Sequence, residues 1–212
     1  MNPSAGGSFI VLDGTEGCGK STQARMLFER LAAKVGAGNL LLVRDPGTTR
    51  IGEQIRAVLL DPAHAEMNMR CEMLLYMAAR AQMMAEVIRP ALDQGKTVIS
   101  DRFVSSTLAY QVGGDGLTER QVRDVAEIAI HGGWPNCVVL LDLPPAASFA
   151  RINRDKDRIE QRPMDYHERV RNNYLAQAKA DPARYRVVDA ARDPAAVHQD
   201  VWRAVAPFVG GL

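Results

Sequence analysis

Cysteine is scarce in this chain, and neither sign of charge dominates it. Three cysteines, Cys18, Cys71 and Cys137, occur in 212 residues, and their odd number and wide spacing argue against a disulfide framework or a zinc-binding pattern. We expect reduced thiols that act as small packing residues. The formal net charge is only +1, so we expect no partner of the nucleic-acid class.

Long apolar runs and a basic leader are also missing. Every apolar run is interrupted before the ~20 residues needed to cross a bilayer, and the opening MNPSAGG does not resemble a signal sequence. Hydrophobic residues make up 47% of the chain, and no repeat or low-complexity linker divides it. We therefore expect one soluble, cytoplasmic domain over residues 1–212, without a membrane partner.

The few histidines lack the spacing of metal ligands. His64, His131, His167 and His198 are scattered along the chain. We expect them at the surface.

Strand-like and helix-like patterns alternate along the sequence, which predicts an α/β fold. The longest predicted helix runs from about Glu66 to Leu92. The alternation favours a five-stranded parallel sheet with helices on both faces, and ligands of such sheets bind beyond the carboxyl ends of the strands. The predicted strands are Phe9–Asp13, Asn39–Val43, Thr97–Asp101, Cys137–Asp142 and Tyr185–Val188.

The most specific pattern is GTEGCGKST, which lies between the first predicted strand and a helix. It matches G-x-x-x-x-G-K-[ST], in which backbone N–H groups and the helix N terminus surround phosphate oxygens. Lys20 would bind the outer phosphates, and Ser21 would offer its hydroxyl to Mg²⁺. The sequence therefore predicts a nucleoside triphosphate site. The predicted ATP phosphate-binding residues are Gly14, Thr15, Glu16, Gly17, Cys18, Gly19, Lys20, Ser21 and Thr22.

Cys18 has two interpretations inside this loop. The simpler one is a small residue that fills a variable position. The alternative is a reactive thiolate, favoured by the helix N terminus and Lys20, which thiol reagents would attack and bound ATP would protect.

Charged and aromatic residues follow the other predicted strands. Asp101 and Arg102 end the third strand, Arg56 follows the turn RDPGTT, and Tyr76 and Arg80 share one helix face. Taken singly, each has a structural explanation as a solvated arginine, a core ring or an ion pair. Around a phosphate loop, together they indicate a second, anionic ligand with a base that can stack.

An ordered series of motifs resembles bacterial thymidylate kinases. It comprises GTEGCGKST, RDPGTT, LLYMAARAQ, DRFVSSTLAYQ and DRIEQ, and extends to about Asp189. Two positions depart from the family pattern, since Asp45 stands where Glu is usual and Thr48 where a second glycine is usual. The resemblance implies a P-loop kinase fold and the transfer of the γ-phosphoryl group of ATP to dTMP. It also implies Mg²⁺ as cofactor and a homodimer that pairs through helices.

The resemblance implies roles at both ends of the acceptor nucleotide. Arg56 and Arg102 would hold the monophosphate, Glu16 would accept from the 3′-hydroxyl, and Tyr76 would stack on thymine. Tyr110 would crowd the 2′ position. Arg80 and Thr107 would meet the polar edge of the base, and Gln111 could add to this contact. The implied dTMP-binding residues are Glu16, Pro46, Arg56, Tyr76, Arg80, Arg102, Thr107, Tyr110 and Gln111, and the implied metal residues are Ser21 and Asp101.

Phosphoryl transfer needs a cation besides Lys20 and Mg²⁺, and the loop's variable positions supply none. In bacterial relatives this cation lies in a short mobile lid, which the resemblance places at about residues 151–163, in RINRDKDRIEQR. Arg154 is the first candidate and Arg158 the second, unless this segment is a solvated helix end with local ion pairs. The predicted catalytic residues are Lys20, Asp101, Arg102, Arg154 and Arg158.

Two other classes of protein remain open. One is another P-loop kinase of a small molecule or nucleotide, and the other is a nucleotide-driven switch or partner-binding ATPase. The N-K-x-D string of guanine-specific switches and the second loop lysine of deviant P-loop ATPases are both absent.

Overall fold

Five parallel strands form one sheet in the computed structural model, which describes residues 7–209. Their order across the sheet is β2-β3-β1-β4-β5, and every neighbouring pair is parallel. This confirms the predicted sheet, and each predicted strand end is correct within one residue. The strands are β1 (Phe9–Asp13), β2 (Leu40–Arg44), β3 (Thr97–Asp101), β4 (Cys137–Asp142) and β5 (Tyr185–Asp189).

Helices connect the strands and cover both faces of the sheet. The predicted helix from Glu66 to Leu92 begins later, where the Asn68 side chain accepts from Cys71 N, and a π-helical turn at Met84–Ile88 interrupts it. Pro90 follows that turn and has no N–H for a regular helical ladder. The helices are α1 (Lys20–Val35), α2 (Arg50–Leu60), α3 (Met69–Met83), α4 (Arg89–Asp93), α5 (Val104–Gln111), α6 (Glu119–Ile130), α7 (Pro145–Phe149), α8 (Met164–Ala180) and α9 (Pro194–Val205). Short 3₁₀ turns lie at Ala37–Asn39, Pro62–His64 and Ala206–Phe208.

The central strand β1 divides the apolar core into two layers. Phe9 and Val11 pack in a cluster with residues of α3 and α6, whereas Ile10 and Leu12 pack with residues of α1 and α9. Successive side chains of a strand point to opposite faces, so a continuous apolar strand requires helices on both sides. All the strands are parallel, so the segments after them meet at one edge of the sheet.

Three side chains lie where the sequence did not predict them. His167 and His198 are buried, and Cys71 is exposed on α3. The ring of His167 packs against Phe149 with 4.5 Å between ring centroids, so it takes a core position on α8. The expectations of surface histidines and of a packing role for Cys71 are therefore wrong at these positions.

Within residues 7–209, none of the helices has both the length and the apolar composition that a bilayer crossing requires.

Candidate active site

A cavity of about 270 Å³ opens at the carboxyl edge of the sheet. Its wall is built by the loop after β1, the start of α1, the ends of β2 and β3, helices α2, α3 and α5, and the segment between α7 and α8. The structure therefore brings together residues predicted from five separate motifs. The predicted residues that line it are Glu16, Gly17, Lys20, Ser21, Pro46, Arg56, Tyr76, Arg80, Asp101, Arg102, Thr107, Tyr110, Gln111 and Arg154.

The glycine-rich loop has the backbone shape that a phosphate site requires. Gly17 and Gly19 have φ of 70° and 99°, in the left-handed region that glycine adopts without strain. A Cβ at Gly17 would also lie only 2.2 Å from Ser148 O. Lys20 begins α1, and its Nζ donates to Thr15 O at 2.6 Å, so the ammonium group is held beside the loop. The helix N terminus and the lysine together favour bound anions.

The remaining loop positions support the backbone without lining the cavity. This group comprises Gly14, Thr15, Cys18, Gly19 and Thr22. Cys18 is 2% exposed, and burial raises the pKa of its thiol although Lys20 and Arg102 oppose this. Both observations favour the simpler interpretation, in which Cys18 packs as a small residue against the α1 and α9 layer.

Ser21 and Asp101 place two oxygen atoms that can bind a metal ion beside the loop. Ser21 Oγ donates to Asp101 Oδ2 at 2.5 Å, although the residues lie 80 positions apart. Magnesium commonly takes one or two protein oxygens and completes its shell with phosphates and water. The donor pair fits this cation, and among residues 7–209 no group of three or more acidic, histidine or cysteine side chains could hold a metal by itself.

Arg102 spans the phosphate loop and α5. Its backbone is in the left-handed region at φ 74°, which turns the side chain back over the carboxyl end of β1. The guanidinium donates to Gly14 O at 3.0 Å, Ser106 Oγ at 3.0 Å and Glu16 Oε1 at 3.1 Å. Arg102 is therefore fixed in place while it faces the cavity.

Asp13 joins the residues around Arg102 by hydrogen bonds inside the protein. The sequence did not identify Asp13 as part of the site. Its carboxylate is fully buried and accepts from Ser105 at 2.6 Å, Ser106 at 2.8 Å and Tyr174 at 2.6 Å. Arg102 NH1 lies 3.5 Å from the same carboxylate. The acid that ends the run FIVLD was the available signal, whereas nothing in the sequence marked Tyr174 on α8.

Glu16 has one occupied and one free carboxylate oxygen. Oε1 accepts from Tyr110 OH at 2.5 Å and from Arg102. Burial raises the pKa of Glu16, but the Arg102 and Lys20 cations outweigh this and lower it overall. Oε2 has no hydrogen-bond partner within residues 7–209, and His167 Nδ1 lies 3.9 Å away. Glu16 is thus an acceptor that lines the cavity and has one buried oxygen without a partner within residues 7–209.

Arg80 is held by Asp45 at the other end of the cavity. Its Nε and NH2 donate to Asp45 Oδ2 at 2.8 and 2.5 Å, and NH1 donates to Thr107 Oγ1 at 3.2 Å. Arg80 is 1% exposed, so the interpretation as a solvated helix arginine is excluded. Asp45, whose role the sequence left open, orients this guanidinium.

The second departure from the family pattern, Thr48, is explained by its backbone. Thr48 has φ 69°, a conformation that glycine adopts more readily. Its Oγ1 accepts from Arg44 N at 2.9 Å and donates to Arg44 O at 3.0 Å, which holds the turn closed. Beside this turn, Arg56 NH1 donates to Pro46 O at 3.0 Å and faces the cavity.

The segment between α7 and α8 holds the two predicted lid arginines in different surroundings. Arg154 lines the cavity, and its guanidinium binds both oxygens of Glu160 at 2.8 and 2.6 Å. Arg158 is buried away from the cavity and donates to Leu59 O at 2.8 Å and Glu72 Oε2 at 2.7 Å. The structure places Arg154 at the site but does not bring Arg158 to it.

Comparisons with known proteins agree with this geometry. The family model described as thymidylate kinase matches residues 12–201. A thymidylate kinase of Desulforudis audaxviator is 47% identical over 200 residues, which cover 94% of this chain and 90% of that protein. One of Deinococcus radiodurans is 44% identical over 202 residues, covering 94% and 96%. The solved structure of thymidylate kinase from Ehrlichia chaffeensis has 29% sequence identity and a TM-score of 0.79, covering 95% of this chain and 99% of that one.

Proposed function

Because the chain belongs to the thymidylate kinase family, we propose that it transfers the γ-phosphoryl group of ATP to dTMP, giving dTDP and ADP. The observation that carries this proposal is a single cavity in which the phosphate loop faces Arg102 and, beyond it, Tyr76 and Arg80. Two anionic nucleotides could therefore bind end to end. The two phosphate groups would meet near Arg102.

The donor half of the site would bind the triphosphate of ATP. The backbone of residues 14–19, the start of α1 and Lys20 would surround its phosphates. Ser21 and Asp101 are the residues that would hold Mg²⁺, directly or through water. A bound Mg²⁺ ion would neutralise phosphate charge and orient the groups that react.

The acceptor half would bind dTMP through its phosphate and its base. Arg102 and Arg56 would hold the monophosphate, because both guanidinium groups line the cavity beside the loop. Tyr76 would stack on thymine, and Arg80, held by Asp45, would donate to a carbonyl of the base. These contacts would leave the acceptor phosphate facing the γ-phosphoryl group.

Glu16 would bind the sugar of dTMP. Its free Oε2 would accept from the 3′-hydroxyl, while Tyr110 fixes Oε1. Tyr110 therefore has a second role besides crowding the 2′ position, since it holds the acid that recognises the deoxyribose.

Arg154 would supply the cation that stabilises the moving phosphoryl group. Its side chain is 59% exposed and lines the cavity, so it could exchange Glu160 for phosphate oxygens. Arg158 would instead secure the segment to the body of the protein. The part of residues 151–163 that moves would then lie before Arg158.

We further propose a homodimer and a cytoplasmic location. Large apolar side chains are exposed on α2, α3 and α6, at Ile51, Val58, Leu74 and Ile128. Pairing through these helices would bury them, as the family resemblance implies. Three free cysteines fit a reducing compartment. Sedimentation of wild type and Ile128→Glu would test the dimer, and a monomeric wild type would exclude it.

A coupled assay of ADP formation would test the function directly. Purified protein with ATP and Mg²⁺ would be offered dTMP, dUMP, AMP, GMP and shikimate in parallel. We expect the highest kcat/KM with dTMP. A higher value with another acceptor would identify a different P-loop kinase, and ATP hydrolysis without any acceptor would favour a switch or ATPase.

A further inference from the structure

Glu72 is a buried carboxylate with no role in the scheme above. It lies on α3, one helical turn before Tyr76, and its exposed fraction is 0%. Its Oε2 accepts from Arg158 and Arg162, both at 2.7 Å, and its Oε1 accepts from Gln111 Nε2 at 2.7 Å. Two guanidinium groups donate to Glu72 and compensate for the burial of its carboxylate.

The contact with Glu72 sets the orientation of the Gln111 side chain. Gln111 Nε2 donates to Glu72 Oε1 while two arginines donate to Oε2, so the amide NH₂ group of Gln111 faces Glu72. The amide carbonyl Oε1 of Gln111 must then point the other way. Gln111 is 1% exposed and lines the cavity, and its Oε1 has no partner within the described part of the chain.

A buried carbonyl without a partner complements an N–H group of a ligand. Leaving such an acceptor unsatisfied costs binding free energy, so a base that supplies a donor is favoured over one that does not. The edge of thymine offers an N3–H donor between two carbonyl acceptors. Cytosine offers an acceptor at N3 and an amino donor at C4. The Arg80 guanidinium, which only donates, and Gln111 Oε1, which only accepts, therefore match thymine and mismatch cytosine.

We propose that Glu72 is a positioning residue for base selectivity, which acts by holding Gln111 Oε1 as the acceptor for the thymine N3–H. This inference rests on the proposed function, in which dTMP is the acceptor. Glu72 does not touch the base. It acts through the Gln111 amide. Without the contact to Glu72, the NH₂ group of Gln111 could turn toward the base and donate to the N3 acceptor of cytosine.

Equilibrium binding of two matched nucleotides tests this proposal. The dissociation constants of dTMP and 5-methyl-dCMP, which carry the same methyl group, sugar and phosphate, are measured calorimetrically for wild type, Glu72→Gln, Gln111→Met and the double variant. In Glu72→Gln the amide of Gln111 can reverse, so we expect the preference for dTMP to fall about tenfold or more. Gln111→Met removes the acceptor and should cause a similar fall, with no further change in the double variant.

Glu160→Gln is the matched control for Glu72→Gln. Glu160 is also buried, at 2% exposure, and also holds an arginine of the same segment, but the hydrogen bond to Gln111 comes from Glu72. Its substitution should leave the ratio of the two dissociation constants unchanged. A purely structural role of Glu72 would weaken both nucleotides equally, as expected for the control.

The proposal is overturned if Glu72→Gln keeps the wild-type ratio, or if it changes the ratio to the same extent in the Gln111→Met background. Should circular dichroism show that Glu72→Gln is unfolded, Glu72→Asp replaces it, because its shorter side chain withdraws from Gln111, and an unchanged ratio there overturns the proposal. Failure of the proposed function is a separate result. Wild type that prefers dTMP in binding but does not phosphorylate it would refute the function and leave the role of Glu72 intact.

Discussion

Arg154 and Arg158 lie four residues apart in one charged segment, yet the structure gives them opposite surroundings. Arg154 has a side chain that is 59% exposed and pairs with Glu160 at the wall of the cavity. Arg158 has a side chain that is 5% exposed and pairs with Glu72 inside the protein. The comparison shows that position in a run of charges does not set the surroundings of an arginine, since one of the two lines the cavity and the other is paired inside the protein.

The energetic difference between the two ion pairs follows from solvent access. Solvent reaches the Arg154 side of its pair with Glu160, although Glu160 itself is buried, so this pair is screened more than the pair of Arg158. Removing one partner of a buried pair costs about 3–5 kcal/mol, because a charge is left without compensation. Arg158 is therefore retained by Glu72, and Arg154 is available to a ligand.

The largest expected effect is that of Arg154→Ala. Loss of a catalytic arginine typically lowers the rate by ~10³ to 10⁵, and we expect kcat to fall within that range while ATP affinity changes by a few fold. Single-turnover kinetics and nucleotide titration would measure the two quantities.

Arg151→Ala is the matched control for that substitution. Arg151 belongs to the same segment but donates to Ala190 O and Ala191 O and does not line the cavity. We expect nearly normal kcat. If alanine at 151, 154 and 158 leaves kcat unchanged in each case, the catalytic cation lies elsewhere.

Arg102→Ala would show whether an arginine that is held by several hydrogen bonds, as Arg158 is, can still bind phosphate when it faces the cavity. We expect kcat/KM for dTMP to fall on the order of 10²-fold or more, because a charge-assisted contact is lost. This corresponds to a loss of several kcal/mol of transition-state stabilisation. The KM for ATP should change much less. Arg102→Lys keeps the charge without the planar fork and should recover only part of the loss. Near wild-type turnover of dTMP by Arg102→Ala would refute the phosphate role.

Arg158→Ala should affect stability more than turnover. It removes one of the two cations that compensate Glu72, and a loss of about 3 kcal/mol would lower Tm by roughly 6 °C or more in a chain of this size. We expect kcat of the folded variant to fall less than tenfold. Calorimetry and a steady-state assay below the transition would measure both. An unchanged Tm with a thousandfold lower kcat would reverse the roles of Arg154 and Arg158.

The sequence predicted the parts of the molecule that depend on local patterns. Apolar runs identified the five strands, and the glycine spacing identified the phosphate loop because its chemistry is contained in nine consecutive residues. The pairing of Arg158 could not be predicted in this way, since its partner Glu72 lies 86 positions away. Likewise, Tyr174 reaches Asp13 across 161 positions, and only the packing of α8 against the sheet brings them together.

The smallest expected effect concerns the cysteines, where the same contrast in burial applies. The thiolate is the reactive form of cysteine, and burial both raises the pKa of Cys18 and blocks access to it. Cys71 is exposed, so a thiol reagent should label Cys71 in the native protein with little loss of activity. Mass spectrometry of labelled peptides alongside the activity assay would check this, with Cys71→Ser as control. The contrary result has three parts: the reagent still inactivates Cys71→Ser, ATP protects that variant, and Cys18→Ala is resistant. Cys18 would then become accessible through opening of the loop, and burial in the resting structure would not decide which cysteine reacts.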